Sequence, residues 1–577
     1  MSNPYLNPNP DPSNNFLFVN QSTNSPSYKV GYRPDVRSHI RKHVARGLNR
    51  RTEIQSYGEQ LSLSPSGLYL ENETQVRSNT GKARNTRTSE VVLCKTCGNR
   101  SSARASKGDE YNMLSEKSSN ERWRALLQIS PREMLGSGRF DPFSTSAGSE
   151  DAETNELLDL GVTYLIPGLM PDDHPNRSLS LTSTSSRTWI FASLSHPFLR
   201  NAILLACSLE RAFLVHSTID VSSPATIARK LLVIQTLNAF INSKQNTTHV
   251  CDEVLLTILI LAAHEAVDFV AIEEPEENKP FNSPLTNMQW MNMYGNNTYQ
   301  NVHMKALHGI VKGRGGLEEL KLPCVAEMIV LGDIISSLNT FCKPVFAPIQ
   351  IHEAYIASAM DWAKTSPHLP PQILATSFSR YAEYGISESL LEILEPLGVV
   401  TWAIDYHLQA KPVGLTIGEI GRTRAAVMKR LLFLPSAEEL GFEKNFAVVG
   451  GTNFYECCRL TAFIYSVAVT FPIPNTRVVL RYYVGLLKAA IEDLEVESFE
   501  DGKVDEIMLW ILMMGGIAAL GKEEREWFVE TLGILREKME ISWSEAIGIF
   551  EKFLWLNSAC GAGGKRLWED SEAWCLR

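Results

Sequence analysis

An all-α fold is predicted for this chain, and three observations carry the prediction. From about residue 188 onward, apolar residues recur at three- and four-residue spacing. Segments open on helix-start chemistry, as in Ser195 with Pro197 and Ser223 with Pro224. Convincing two-residue alternation, the mark of a half-buried strand, is nearly absent. The expected architecture is an irregular array of packed helices behind a largely disordered basic N-terminal arm. No fixed internal period marks a solenoid.

Taken in order, residues 1–34 hold six prolines and little apolar content, so they are expected to be disordered. A short helix is expected over about 34–51, in "RPDVRSHIRKHVARGLNRR". Asp35 can cap it, and Val36, Ile40, Val44 and Leu48 form one narrow apolar stripe. Residues 52–120 are rich in Ser, Thr, Asn and Arg without periodic pattern and complete the arm, 1–120. Residues 121–187 mix apolar pieces such as "ELLDLGVTYLIPGL" with an acidic patch, a partly ordered linker. The helical body is placed at 188–577. It starts with "SHPFLRNAILLACSLERAFLVH", "SPATIARKLLVIQTLNAFINS", "CDEVLLTILILAAHEAV" and "NVHMKALHGIVKGRGGLEEL", the last ending at its glycines. Further helices are expected at roughly 325–341, 351–364, 387–408, 416–433, 453–470, 477–495, 503–520, 523–538 and 543–556.

The charge is divided unevenly. The 577 residues carry a formal net charge of −10. Residues 29–107 hold sixteen Lys and Arg against six Asp and Glu, about +10. The first 28 residues hold one acid and no base, so the remainder carries about −19. An arm of this sign suits polyanions or the acidic groove of an import receptor. Arg37, Arg41, Lys42, Arg46, Arg50 and Arg51 are the candidate contacts, for nuclear import, for phosphates, or for both. The plainer alternative is a solvated surface helix. Tyr28 and Tyr32 are too few for a base-stacking platform.

Metal and catalytic patterns are weak. "CKTC" places Cys94 and Cys97 at a spacing that can share one zinc, and His39 and His43 share one helix face. The order is reversed from the common finger and about fifty residues separate the halves, so two loose thiols are the favoured reading. "HEAVD" (264–268) starts like a zinc-protease helix but has Asp268 where the second histidine belongs; His264 reads as a core histidine. "GAGGKR" (561–566) lacks the first glycine and the hydroxyl of a phosphate loop. In "KGRGG", Lys312 and Arg314 read as solvated charges at a helix stop, or as a functional turn. Trp527, Trp543, Trp555 and Trp568 read as core rings rather than a ligand cage. No nucleophile set announces itself, so neither enzyme nor cofactor is expected. The ten cysteines are scattered, as reduced core thiols are. No apolar run reaches the roughly 18–20 residues needed to span a membrane, and no apolar leader opens the chain, so a soluble intracellular protein is expected.

The ordered set "SHPFLRNAILLACSLE", "NVHMKALHGIVKGRGGLEEL", "YECCRLTAFIYSVAV", "LWILMMGGIAALGKEEREWFVETL" and "SWSEAIGIFEKFLWL" resembles the fungal-specific transcription factor domain, and "FLFVN" (16–20) with the basic stretch resembles the N-terminus of some of its members. The resemblance covers about residues 188–570 and the short N-terminal box. It implies a nuclear transcription regulator with a helical regulatory domain, of a kind that often governs metabolic or secondary-metabolite gene clusters. The partners implied are an import receptor, other transcription regulators, DNA through the arm and a second copy of the chain. One departure stands out: only Cys94 and Cys97 precede Cys207, so the family's six-cysteine zinc cluster cannot be assembled. Two alternatives remain, a co-regulator without DNA contact of its own, and a helical small-molecule-binding protein or enzyme that keeps the fold alone.

Overall fold

Several helices of this protein begin on a hydroxyl that takes up an otherwise unpaired backbone N–H. Ser223 accepts from Thr226 N and Ser387 from Leu390 N. Thr416 with Glu419, and Ser542 with Glu545, form reciprocal capping boxes. The structure is a computed structural model that describes residues 152–170 and, apart from intervals of at most nine residues, 184–576. The basic segment 34–51 and the Cys94–Cys97 pair lie outside the described residues.

The described residues are all-α. The order runs α1 (Ala152–Leu160), a π-helical turn (Gly161–Leu165), α2 (Ile166–Leu169), α3 (Thr184–Ser195), α4 (Pro197–His216), α5 (Pro224–Ile241) and α6 (Asp252–Ala263). Then come α7 (Met291–Tyr294), α8 (Val302–Gly313), α9 (Val325–Thr340), α10 (Gln350–Thr365), α11 (Glu388–Leu408), α12 (Ile417–Phe433) and α13 (Ala437–Phe442). The chain closes with α14 (Gly451–Tyr465), a second π turn (Ser466–Thr470), α15 (Thr476–Glu492), α16 (Asp505–Ala518), α17 (Arg525–Met539), α18 (Trp543–Phe550) and α19 (Asn557–Cys575). Extended structure among the described residues amounts to β1 (Thr218–Ile219) paired antiparallel with β2 (Phe269–Val270), Thr218 opposite Val270.

Helix α4 packs on α1, α5 and α6, and α6 on α8. Helix α12 packs on α9, α10 and α11, while α16, α17 and α19 pack together. Buried residues from Leu157 to Trp568 form one apolar cluster, so these groups share a core. The sequence places the start of the helical body at residue 188. The structure sets Leu157, Leu158, Leu165 and Ile166 into the same core, because their apolar side chains face α4 and its neighbours. The packed body therefore already includes 152–170.

Three local differences have clear causes. Ser195 ends α3 instead of capping α4, and the His196 carbonyl accepts the first-turn N–H groups of Leu199 and Arg200. The helix expected over 543–556 stops at Phe550, since the Trp510 indole donates to the Leu554 carbonyl (2.9 Å) and holds that stretch as a buried turn. The glycine-rich "CGAGGKR" then lies inside α19, where the sequence offers little helix propensity. Its glycines permit close approach. A Cβ on Gly563 would sit 2.3 Å from the Pro280 carbonyl oxygen, and one on Gly564 2.8 Å from the Trp555 ring. Nearby, Asn282 N donates to the Ala559 carbonyl at 2.9 Å.

Candidate functional site

The apolar stripe of α4 leads to the site. Ile203 and Ala206 face a partly open cavity of about 60 Å³. That is room for a few waters, since one needs roughly 10–15 Å³. Helix α6 supplies Leu256, Leu259, Ile260 and Ala263, and α9 supplies Met328, Leu331, Gly332 and Ile335. Leu165, Ile166 and Leu169 close one side and Trp189 another. The wall is almost wholly hydrocarbon, so its few polar groups stand out.

His264, Tyr294, Tyr299 and Gln289 are those groups. His264 Nδ1 is 2.7 Å from the Ile260 carbonyl, and a carbonyl can only accept, so Nδ1 carries the proton. Burial pushes the imidazole down to about 4, so near neutrality Nε2 is a bare acceptor. The Tyr294 hydroxyl, 3.1 Å away, therefore donates to Nε2. Its own oxygen keeps lone pairs for a donor.

Glu210 continues the α4 stripe one turn past Ala206. It has no solvent exposure, and neither carboxyl oxygen finds a hydrogen-bond partner among the described residues. Burial pushes its pKa up to about 8, which keeps it neutral where no cation offsets its charge. Burial and the nearby Glu210 also raise the Tyr164 phenol and the Cys207 thiol; the same two causes, then Tyr299 and Cys207, raise Tyr294. All three stay protonated across the ordinary range. The cluster thus offers acceptor lone pairs together with the O–H of the neutral Glu210 carboxyl.

A strap over 281–294 lends Gln289 and Tyr294 to the cavity wall. Gln289 and Trp290 both take left-handed backbone, with φ of 57° and 55°. Such a conformation in bulky residues needs surroundings that impose it. The Trp290 indole donates to the Leu165 carbonyl at 2.9 Å and lies against Gly168, where a Cβ would come within 2.6 Å of the ring. From α12, the buried Arg424 donates to the Met288 carbonyl (3.0 Å) and to Gln289 Oε1 (3.2 Å). Its other end reaches the Thr470 carbonyl at the close of the second π turn. Burial without a carboxylate partner lowers Arg424 to about 9.

Residues singled out from the sequence fall as follows. Arg37, Arg41, Lys42, Arg46, Arg50, Arg51, His39, His43, Cys94 and Cys97 lie outside the described residues. His264 is a buried histidine bonded on both nitrogens, as a core histidine is. Arg314 is not a solvated charge: Nη1 sits 2.6 Å from Asp252 Oδ1, whose other oxygen accepts Lys321 N and Leu322 N. The Trp543 and Trp568 rings lie 5.5 Å apart, and Trp555 stacks on Phe550. Every described cysteine is free. Among the described residues no three His, Cys, Asp or Glu gather to hold a metal, and no helix is long and apolar enough to cross a membrane. Glu210 and Tyr294 escaped the sequence reading. The one signal for Glu210 is an acid seven residues after Ile203 on an otherwise apolar stripe. Comparison of the chain with protein-family models, with curated proteins and with solved structures finds no match.

Proposed function

We propose that this protein is a nuclear transcription regulator of fungal type, in which the basic arm brings the chain to the nucleus and touches nucleic acid while the helical body regulates it. The observation that carries the reading is the charge division, about +10 over residues 29–107 against about −19 beyond them. The ordered resemblance of the body segments supports it. The all-α body suits a regulatory rather than a DNA-reading role, since its net negative field repels phosphates. In this reading its interior cavity is where a small molecule controls the protein. A nuclear import receptor, other regulators and a second copy of the chain are the proposed partners; no catalytic role is proposed.

The test is chromatin occupancy of the tagged protein, set beside a version lacking residues 1–60. Occupancy at discrete sites that fades without the arm is expected. A protein that stays cytoplasmic, or whose occupancy ignores the arm, would sink this reading. A second reading, a helical small-molecule-binding protein that uses no nucleic acid, is favoured by one observation: the apolar cavity whose wall carries His264 and Tyr294. Ligand binding without nuclear occupancy would favour it.

A further inference from the structure

Helix α15 leaves one side uncovered. Its Val479, Leu480, Tyr483, Val484 and Leu487 are buried, but Val478, Tyr482 and Leu486 are 52%, 45% and 40% exposed. Their four-residue steps draw one apolar stripe along the outer side of the helix. Phe341, in the turn after α9, widens it. Its backbone is left-handed, with φ of 56°, and its exposed ring lies 4.3 Å from the Tyr482 ring. Single exposed apolar residues are ordinary; a continuous row of them marks a contact surface.

The charges say what covers the row. Arg477 and Arg481 stand toward the N-terminal end of α15, Glu492 and Asp493 at its C-terminal end, and all four are exposed. That order opposes the helix dipole, which favours acids at the start and bases at the end. Arg481 and Glu492 are also three turns apart, so they lie along the same edge of the stripe. A second α15 laid antiparallel would bring the Arg481 edge of each onto the Glu492 edge of the other, with the two dipoles opposed. A parallel partner would set Arg481 against Arg481. Gly485, on the same side, permits close approach. A Cβ there would meet Glu524 Oε1 no nearer than 3.8 Å, so packing within the chain does not require a glycine that weakens the helix.

We propose that a second copy of this chain covers the stripe, the two α15 helices packing antiparallel across a two-fold axis near Gly485 and Leu486, with Arg481 of each copy paired to Glu492 of the other. Such a contact is self-complementary and closes at two copies. It gives the second copy named among the partners its surface, and it stands apart from the nuclear reading. A helix face about 25 Å long and about 10 Å wide falls short of the roughly 800 Å² per partner of a standard interface. The dimer is therefore a weak one that forms with rising concentration.

The test is sedimentation velocity of the purified full-length chain from about 1 to about 100 μM, at low salt so that charge pairs are felt. Wild type is expected to pass from monomer toward dimer, and Tyr482→Asp to stay monomeric. Arg481→Glu alone and Glu492→Arg alone each put like charges together twice, and each is expected to weaken the dimer about tenfold or more. Mixing these two variants makes both contacts complementary again, and the mixture is expected to recover dimer near the wild-type level. Both positions are exposed, so thermal melts of the single variants should stay close to wild type. A wild-type chain that is monomeric throughout would overturn the proposal, as would a dimer that Tyr482→Asp leaves intact. Single variants that weaken the dimer without recovery on mixing would overturn the antiparallel pairing. None of these results touches the nuclear reading, which chromatin occupancy decides.

Discussion

Lys429 Nζ lies 2.6 Å from Asp333 Oδ2, and both side chains are closed off from solvent. Asp333 also accepts Val345 N at 2.8 Å and Phe346 N at 3.1 Å, so it pins the turn after α9 as well as the lysine of α12. Burial lowers the Lys429 pKa while the carboxylate raises it. Removing one partner strands the other charge. Lys429→Met should cost about 3–5 kcal/mol in denaturant unfolding. The double variant with Asp333→Asn should cost less than the two single costs combined. Strict additivity would show that the pair does not act as a unit.

Arg424 should obey a different rule, because its acceptors are neutral. Arg424→Met takes the guanidinium from the Thr470 carbonyl and Gln289 Oε1, while the Met288 carbonyl keeps Met291 N, at roughly 1–3 kcal/mol. Arg424→Lys keeps a buried charge but loses the planar fork that reaches all three, so it should be the more harmful change. Equal or milder damage from lysine, measured by urea titration, would refute that ranking.

Two glycines in helices should respond in opposite directions to alanine. At Gly563 the new methyl meets the Pro280 carbonyl oxygen at 2.3 Å, a backbone atom that cannot swing aside. Gly563→Ala should destabilise by about 1–3 kcal/mol. At Gly309 in α8 nothing lies within 4 Å, and Gly309→Ala should stabilise by roughly 0.5–1 kcal/mol. Thermal melts of both variants decide the matter, and the same sign at both sites would count against this packing.

Glu210 predicts a pH trend. Its folded pKa of about 8 lies above the unfolded value of 4.5, so between them the folded chain holds a proton that the unfolded chain has lost. Stability from this group is fully present below 4.5 and is lost as pH rises toward 8. His264 works the other way, but only below its unfolded 6.5. From pH 6.5 to 8, then, wild type should lose on the order of 1 kcal/mol per pH unit relative to Glu210→Gln. Parallel curves for the two proteins would mean that the carboxyl is already ionised in the folded state.

Helices were legible where apolar spacing and a cap agreed, as at Ser223, while over 416–433 the spacing sufficed and the Thr416 capping box emerged only from the structure. Helix α19 was not, because its glycines answer to Trp555 just before the helix and to Pro280, which is remote in sequence. The pairing of Arg314 with Asp252 was equally hidden, since "KGRGG" and "CDEV" are separated by some sixty residues and each reads locally as a helix end. The candidate site was least legible. Glu210 looks like the polar side of a surface helix until the turn bearing Tyr164 and the strap bearing Tyr294 come near it. The strap over 281–294 carries no period at all, and its left-handed residues are imposed by Arg424 and Leu165 from elsewhere in the chain.

That strap sets the order in which the protein can be finished. Residues 282–290 bond to Leu165, 125 positions from Trp290, to Arg424, 136 positions from Met288, and to Ala468, 185 positions from Ser283. Asn282 then waits for Ala559, near the chain's far end. Closing such distant contacts is slow, and a nascent chain lacking α19 cannot complete them. During synthesis α1, α4, α5 and α6 can cover one another early, but the strap's last bond waits for α19. Cells making this protein should need chaperones during elongation, and a premature stop before residue 557 should yield aggregate rather than a smaller folded body.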